Sequence, residues 1–129
     1  MNRLSIHVSG ESDIAEVVRQ ARSEASRAGF SKSGSYYLAT VASELASNLF
    51  IHAGGGVFEI VDILQPSGLE LSTIDDGPGI ANVEQAMQEG FSTTGSLGCG
   101  LPGIKRLTDE LEISARPGGG TVVRARKWL

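Results

Sequence analysis

An excess of basic residues is missing from this chain: 15 Asp and Glu against 11 Lys and Arg give a formal net charge of -4. No basic stripe is available to neutralise a phosphate backbone, so general nucleic-acid binding is excluded. Cysteine is nearly absent as well. The lone Cys99 has no partner for an intramolecular disulfide and cannot build a cysteine metal cluster, which fits a reducing compartment. It reads as a small packed residue. Nor does any apolar run approach the roughly 20 residues that span a bilayer, and the opening stretch MNRLSIHVSGESD turns polar too early for a signal peptide. The expected location is therefore the cytoplasm, away from membranes.

Glycine, by contrast, is abundant. Seventeen glycines are nearly twice the average share of about 7%, and many fall between Gly77 and Gly120, where backbone shape or close approach to a ligand matters more than side chains. At 129 residues, with 40% hydrophobic and 20% charged side chains, the chain fits one globular domain spanning 1–129 with a real core.

Leu4 to Val8 alternates as a short strand, and Ser12 or Asp13 can cap a helix through Ile14, Val17, Val18, Ala21 and Ala25 towards Gly29. A second helix is expected from about Ser33 to Ser35 as far as Ala53, where Gly54, Gly55 and Gly56 stop it. Val57–Leu64 and Leu69–Ile74 are rich in β-formers and flank the turn Gln65-Pro66-Ser67-Gly68, predicting a hairpin. A long loop-like segment from Asp75 to Gly100 contains a short helical candidate at Val83–Glu89, and its length marks it as functional. Gly100 to Leu111 reads as a helix with Leu101, Ile104, Leu107 and Leu111 at core spacing. A last hairpin, Leu111–Arg116 and Thr121–Lys127, turns through Pro117-Gly118-Gly119-Gly120. This order predicts an α+β two-layer sandwich, with a mixed, mostly antiparallel sheet and helices on one face.

On a helical wheel, Leu38, Val41, Ala42, Leu45, Leu49 and Ala53 form the core stripe of the second helix, and Glu44, Asn48 and His52 follow one another along its edge. A partly desolvated carboxylate there can act as a general base, and an amide oxygen can help hold Mg²⁺; an ordinary polar helix edge has the same pattern. Asp75-Asp76-Gly77-Pro78-Gly79 follows a strand directly. This is a strand-ending turn, or a carboxylate placed to accept from a purine amino group while Gly77 and Gly79 let a flat base approach the backbone. The loop from Phe91 through Thr93, Thr94 and Gly98 leads into a helix at Gly100, Leu101 and Gly103, so free backbone N–H groups can face a phosphate; a flexible loop capped by a helix is the plain alternative. Gly98-x-Gly100-x-x-Gly103 spells a dinucleotide fingerprint, but it follows a loop and no parallel βαβ unit surrounds it. Lys105 and Arg106 can add positive charge near phosphates, or are plain solvated helix residues.

In order, Glu44-x-x-x-Asn48, Asp75-x-Gly77-x-Gly79, Gly98-x-Gly100-x-x-Gly103 and Gly120-Thr121 resemble the conserved boxes of the GHKL ATPase and kinase superfamily. The likeness covers essentially the whole chain and implies the Bergerat ATP-binding fold. SELASN, DDGPGI, GFSTTGSLGCGLPGIKRL and the terminal KWL are especially similar to the RsbT serine-protein kinases of bacterial stress signalling. That resemblance implies ATP and Mg²⁺ as ligands, with Glu44 as general base, Asn48 as metal ligand and Asp75 as reader of the adenine amino group. Gly77 and Gly79 would shape the adenine pocket, with Thr121 beside Asp75. Thr93, Thr94, Gly98, Gly100, Leu101 and Gly103 would belong to the phosphate-binding lid and helix.

It further implies phosphoryl transfer to a STAS-domain antagonist, exchange with a stressosome scaffold and activation of a PPM-type phosphatase by binding. Two positions depart from the pattern: Ser47 stands where a longer, often basic residue is expected, and Asp76 replaces a commonly neutral one. The rival readings are an RsbW-like anti-sigma factor with kinase activity and a catalytically silent ATP-dependent interaction module. A histidine-kinase module fits less well, because no helical segment carries a phosphoacceptor histidine; His7 and His52 read as ordinary residues.

Overall fold

The computed structural model describes residues 3–76, 100–117 and 119–129. Along the chain run β1 (Arg3–Val8), α1 (Glu11–Ala28), α2 (Lys32–Ala53), β2 (Gly56–Leu64), β3 (Ser67–Ile74), α3 (Gly100–Leu107), β4 (Glu110–Ala115) and β5 (Thr121–Trp128). The strands form one sheet in the order β1-β2-β3-β5-β4. Every pairing in it is antiparallel, so among the described residues the sheet is antiparallel throughout rather than mixed. The helices cover one face, giving the expected α+β sandwich.

Alternation sorts the strand residues between the two faces. Leu4, Ile6, Phe58, Ile60, Leu69, Leu71, Val123, Ala125, Leu111 and Ile113 align across the register and join the core under the helices. The opposite face carries charge. There Arg126 binds Glu70 at 2.7 Å on β3 and Glu110 at 3.3 Å on β4, Arg124 lies 3.3 Å from Glu112, and Arg3 lies 3.6 Å from Glu59. Opposite charges on neighbouring strands support the register and keep this face wet.

Helix α1 buries Val17, Ala21 and Ala25, spaced four apart, and small Ala39, Ala42 and Ala46 lie on the buried arc of α2. Such residues let two helices approach closely. The sheet-facing stripe of α2 is buried at Leu38, Val41, Ala42, Leu45 and Leu49; Ala53, at the helix end, is only half-buried. Ser31 caps α2 by accepting from the Gly34 N–H at 3.0 Å, so the helix starts slightly earlier than the pattern predicted. Its C-terminus closes with Gly54 and Gly55 donating to the carbonyls of Phe50 and Leu49.

Two local expectations are corrected. Neither Ser12 nor Asp13 is the N-cap of α1; that position is the extended Gly10, and the Asp13 carboxylate reaches back to accept from the N–H groups of Ser9 at 2.9 Å and Gly10 at 3.1 Å. Asp13 thus satisfies the orphan donors from inside the first turn. Helix α3 ends at Leu107, not Leu111. The Thr108 hydroxyl donates to the Ile104 carbonyl at 2.8 Å. Asp109 then joins β5, its N–H on the Arg126 carbonyl at 2.9 Å and its carboxylate accepting from the Trp128 N–H at 2.8 Å. Leu111 consequently lies in β4 opposite Ala125. A four-residue spacing from Leu107 suits a helix, but it is also a multiple of two, so it continues into a strand without breaking the apolar pattern. The turn of the central hairpin is likewise tighter, with β3 beginning at Ser67 rather than Leu69. The helical candidate at 83–89 lies outside the described residues.

The Ser9 backbone N–H above all, aided by the Ser9 hydroxyl and the Gly10 N–H, holds the Asp13 carboxyl below the usual aspartate range. A depressed folded value means that its stabilisation is present above the unfolded value of about 3.9 and is lost as pH falls through the lower folded value. Asp13→Asn is therefore expected to melt below the unmodified protein at pH 7, with the gap in Tm closing towards pH 3, in thermal melts followed by circular dichroism.

Candidate functional site

The edge of α2 carries the first part of the site. Glu44 is only 7% exposed, and among the described residues its Oε2 is a buried atom without a hydrogen-bond partner. Burying a carboxylate oxygen unsatisfied is costly, and such an orphan calls for an explanation in a ligand, ion or reacting group. Asn48, one turn on, is half-buried, whereas His52 is exposed and falls outside the partly desolvated edge. With a rise of about 1.5 Å per residue, the two residues' backbone positions stand roughly 6 Å apart along the helix axis.

The second part lies where β3 ends. Asp75 is 9% exposed, and its N–H donates to the Thr121 carbonyl at 3.1 Å, one step beyond the last register pair Ile74↔Val122. Thr121 is buried too, so the structure brings Asp75 and Thr121 together as the sequence motifs implied.

Two glycines make this meeting possible. A Cβ on Gly120, whose φ is +98°, would stand 2.0 Å from the Asp75 carbonyl oxygen. One on Gly56 would come within 2.4 Å of the Ile74 carbonyl oxygen, 2.9 Å of a Leu49 methyl and 3.3 Å of the Asp75 Cα. The start of β2, the end of β3 and the start of β5 therefore converge at backbone contact distance around Asp75, with the Leu49 side chain of α2 against them.

Helix α3 supplies the third part. Gly100, Leu101 and Gly103 lie in its first turn with Pro102, and Leu101 and Gly103 are buried. The first N–H groups of a helix have no partner within it and Pro102 has none to offer, so the Gly100 and Leu101 N–H groups remain at an end that favours anions. Helix α3 packs against α2, the helix that carries Glu44 and Asn48. Lys105 and Arg106 are exposed, as expected. Gly77, Gly79, Thr93, Thr94 and Gly98 lie outside the described residues.

The residues present suit a phosphorylated ligand with a hard cation. Glu44 Oε2 is unpartnered and Asn48 offers an amide oxygen beside it. Among the described residues no three His, Cys, Asp or Glu side chains cluster to hold a metal by themselves. A Mg²⁺ ion bound through one or two protein oxygens and completed by water and phosphate matches that donor set.

Two contributors escaped the sequence pattern. Gly56 read only as part of a helix stop, although the run Gly54-Gly55-Gly56 was visible. Arg116 gave no signal at all: its Nη1 donates to the Asp75 carbonyl at 2.8 Å and to the Asp76 carboxylate, a partnership across 41 and 40 positions of sequence.

Comparison with known proteins gives the family and the fold. The family described as histidine kinase-like ATPase domain matches residues 9–127. The chain is 38% identical over 126 residues to serine/threonine-protein kinase RsbT of Bacillus subtilis (strain 168), covering 96% of this chain and 95% of that protein. It is 35% identical over 96 residues to an anti-sigma F factor of Caldanaerobacter subterraneus subsp. tengcongensis, covering 70% of this chain and 67% of that one. Among solved structures, the SiaB–SiaC complex from Pseudomonas aeruginosa contains a chain that superposes with a TM-score of 0.73 at 16% identity, over 95% of this chain and 88% of that chain. The RsbU and RsbW domains of a Mycobacterium tuberculosis protein give a TM-score of 0.70 at 19% identity, over 100% of this chain but only 32% of that one. At such identities the two structures speak for the fold alone.

Gly120→Ala is expected to lower stability by about 2 kcal/mol or more, since it combines positive-φ strain with a backbone clash. Urea unfolding measures the loss. Gly119→Ala, whose Cβ would meet nothing within 4 Å although its φ is +116°, carries the strain without the clash and serves as the comparison.

Proposed function

The chain belongs to the histidine kinase-like ATPase domain family, and on that premise we propose that it is an ATP-dependent serine/threonine-protein kinase of a bacterial partner switch. The single observation that carries the catalytic part is Glu44, a buried carboxylate with an unpartnered oxygen on the same helix edge as Asn48. Support for a kinase rather than a sequestering role comes from likeness to a protein kinase over 96% of the chain, against 70% for the anti-sigma F factor.

In this reading Asp75 accepts a hydrogen bond from the adenine amino group while Thr121 holds the Asp75 backbone. Gly77 and Gly79 leave room for the base. The N–H groups of Gly100 and Leu101, with Gly103 after them and Gly98, Thr93 and Thr94 before them, bind the phosphates. Asn48 ligates Mg²⁺, which would offset phosphate charge when bound. Glu44 takes the proton from a serine or threonine hydroxyl as its oxygen bonds to the γ-phosphorus and the bond from that phosphorus to the ADP oxygen breaks. Burial of Glu44 excludes water from the base, and its place on the helix edge keeps it within reach of an acceptor.

The acceptor in this proposal is a STAS-domain antagonist, with a stressosome scaffold and a PPM-type phosphatase as further partners. The likeness to a serine/threonine-protein kinase and to an anti-sigma F factor supports action on protein partners. No helix among the described residues is long and apolar enough to cross a membrane, and the cytoplasm remains the proposed location.

Incubation with labelled ATP, Mg²⁺ and STAS-domain proteins should label a serine or threonine. Stoichiometric capture of a sigma factor instead would favour the anti-sigma reading, and nucleotide binding without any transfer would favour the silent module. Glu44→Gln is expected to keep ATP affinity within about threefold while transfer falls roughly 10²-fold to 10⁴-fold; unchanged transfer removes Glu44 as the base. Asn48→Ala should abolish the Mg²⁺ dependence of binding. For Asp75→Asn, calorimetry should show ATP weakened by about tenfold and GTP by less; equal effects on both would count against base readout at that position.

A further inference from the structure

Asp75 can read a base only if its side chain leaves the backbone in one fixed direction. That direction depends on the peptide planes on either side of its Cα. The plane before it is held by the Asp75 N–H on the Thr121 carbonyl at 3.1 Å, the last rung between β3 and β5. Beyond Thr121 the partner strand turns back, and the plane between Asp75 and Asp76 is met by a side chain: Arg116 Nη1 donates to the Asp75 carbonyl at 2.8 Å.

We infer that Arg116 is a positioning residue for base recognition, fixing the peptide between Asp75 and Asp76 so that the Asp75 carboxylate faces the purine amino group; this rests on the nucleotide reading above. The turn between β4 and β5 carries Arg116 to that place. Its own N–H donates to the Gly120 carbonyl at 3.0 Å, and its carbonyl accepts from the Gly119 N–H at 3.1 Å. The guanidinium thus springs from the same turn whose Gly120 has no Cβ to strike the Asp75 carbonyl.

Asp76 completes the arrangement. Its carboxylate accepts the second proton of the same Nη1 group, so one nitrogen spans the Asp75 carbonyl and the Asp76 side chain. With the Asp76 side chain 91% exposed and that of Arg116 35% exposed, the pair adds little to folding stability. Its effect is on the geometry of the guanidinium. By holding the carbonyl, Arg116 sets ψ of Asp75 and the direction in which the chain leaves the sheet.

The test uses the full chain and measures Kd for ATP and GTP by calorimetry, together with kcat and KM for transfer and Tm for each variant. Arg116→Met should weaken ATP by about tenfold, the order expected for one charge-assisted hydrogen bond. The ratio of ATP to GTP affinity should fall by nearly as much, with KM for ATP moving more than kcat and little change in Tm. Arg116→Lys, which can still donate to the carbonyl, should recover most of the ratio. Asp76→Asn should shift it by no more than about threefold. An unchanged ratio in Arg116→Met, in a protein whose unmodified form binds ATP, overturns the positioning role while leaving the kinase reading intact. Equal loss of ATP and GTP with a lowered Tm also overturns it, by reducing Arg116 to a structural tie. If the unmodified protein binds no ATP, the kinase reading and the positioning role fall together.

Discussion

Three stretches of backbone approach one another at Asp75 because neither Gly56 nor Gly120 carries a Cβ. The added carbon would stand 2.4 Å from the Ile74 carbonyl oxygen in one case and 2.0 Å from that of Asp75 in the other. These distances leave no room for a flexible neighbour to yield, since the obstructing atoms belong to the backbone itself. Through that contact the start of β2, which follows α2, is seated beside the end of β3, and β5 pairs with β3 on its other side. The acidic edge of the helix and the acidic end of the strand thereby become parts of one molecule-wide arrangement.

Helix α2 serves the core and the site with different sides of one element. Leu38, Leu45 and Leu49 face the sheet, small residues on the neighbouring arc allow close packing, and Glu44 occupies the border. The Oε2 atom placed there is buried and has no hydrogen-bond partner among the described residues, which is costly for a polar atom. In an enzyme such a cost is tolerable when the group needs to accept a proton in a site shielded from water. Asp75 is treated differently. Its backbone is held at the N–H and at the carbonyl, which suits a group that recognises a ligand by direction.

Much of the fold was legible from local pattern. The α2 stripe, its triple-glycine stop, the two hairpins and the order of elements all follow from periodicity and turn chemistry. Reading failed where two patterns were both permitted. Leu107 and Leu111 suit a helix and a strand alike, and only the bonds of Asp109 to Arg126 and Trp128 decide that the helix has ended. At the start of α1, Ser12 and Asp13 both have capping side chains, yet Asp13 binds backward to Ser9 and Gly10 from inside the first turn.

For the site, the sequence by itself determined that Glu44 and Asn48 share a helix edge, that Asp75 closes a strand and that a glycine-rich segment leads into Gly100, because each is a relation between near neighbours. The tertiary structure decided that Thr121 binds the Asp75 backbone, that Gly56 and Gly120 are points of contact rather than mere turn residues, and that Arg116 reaches Asp75 and Asp76. Those relations depend on strand order and register, which place β5 beside β3 across a long intervening segment. No periodicity or spacing encodes a hydrogen bond between residues some forty positions apart; it exists only once the sheet has aligned them.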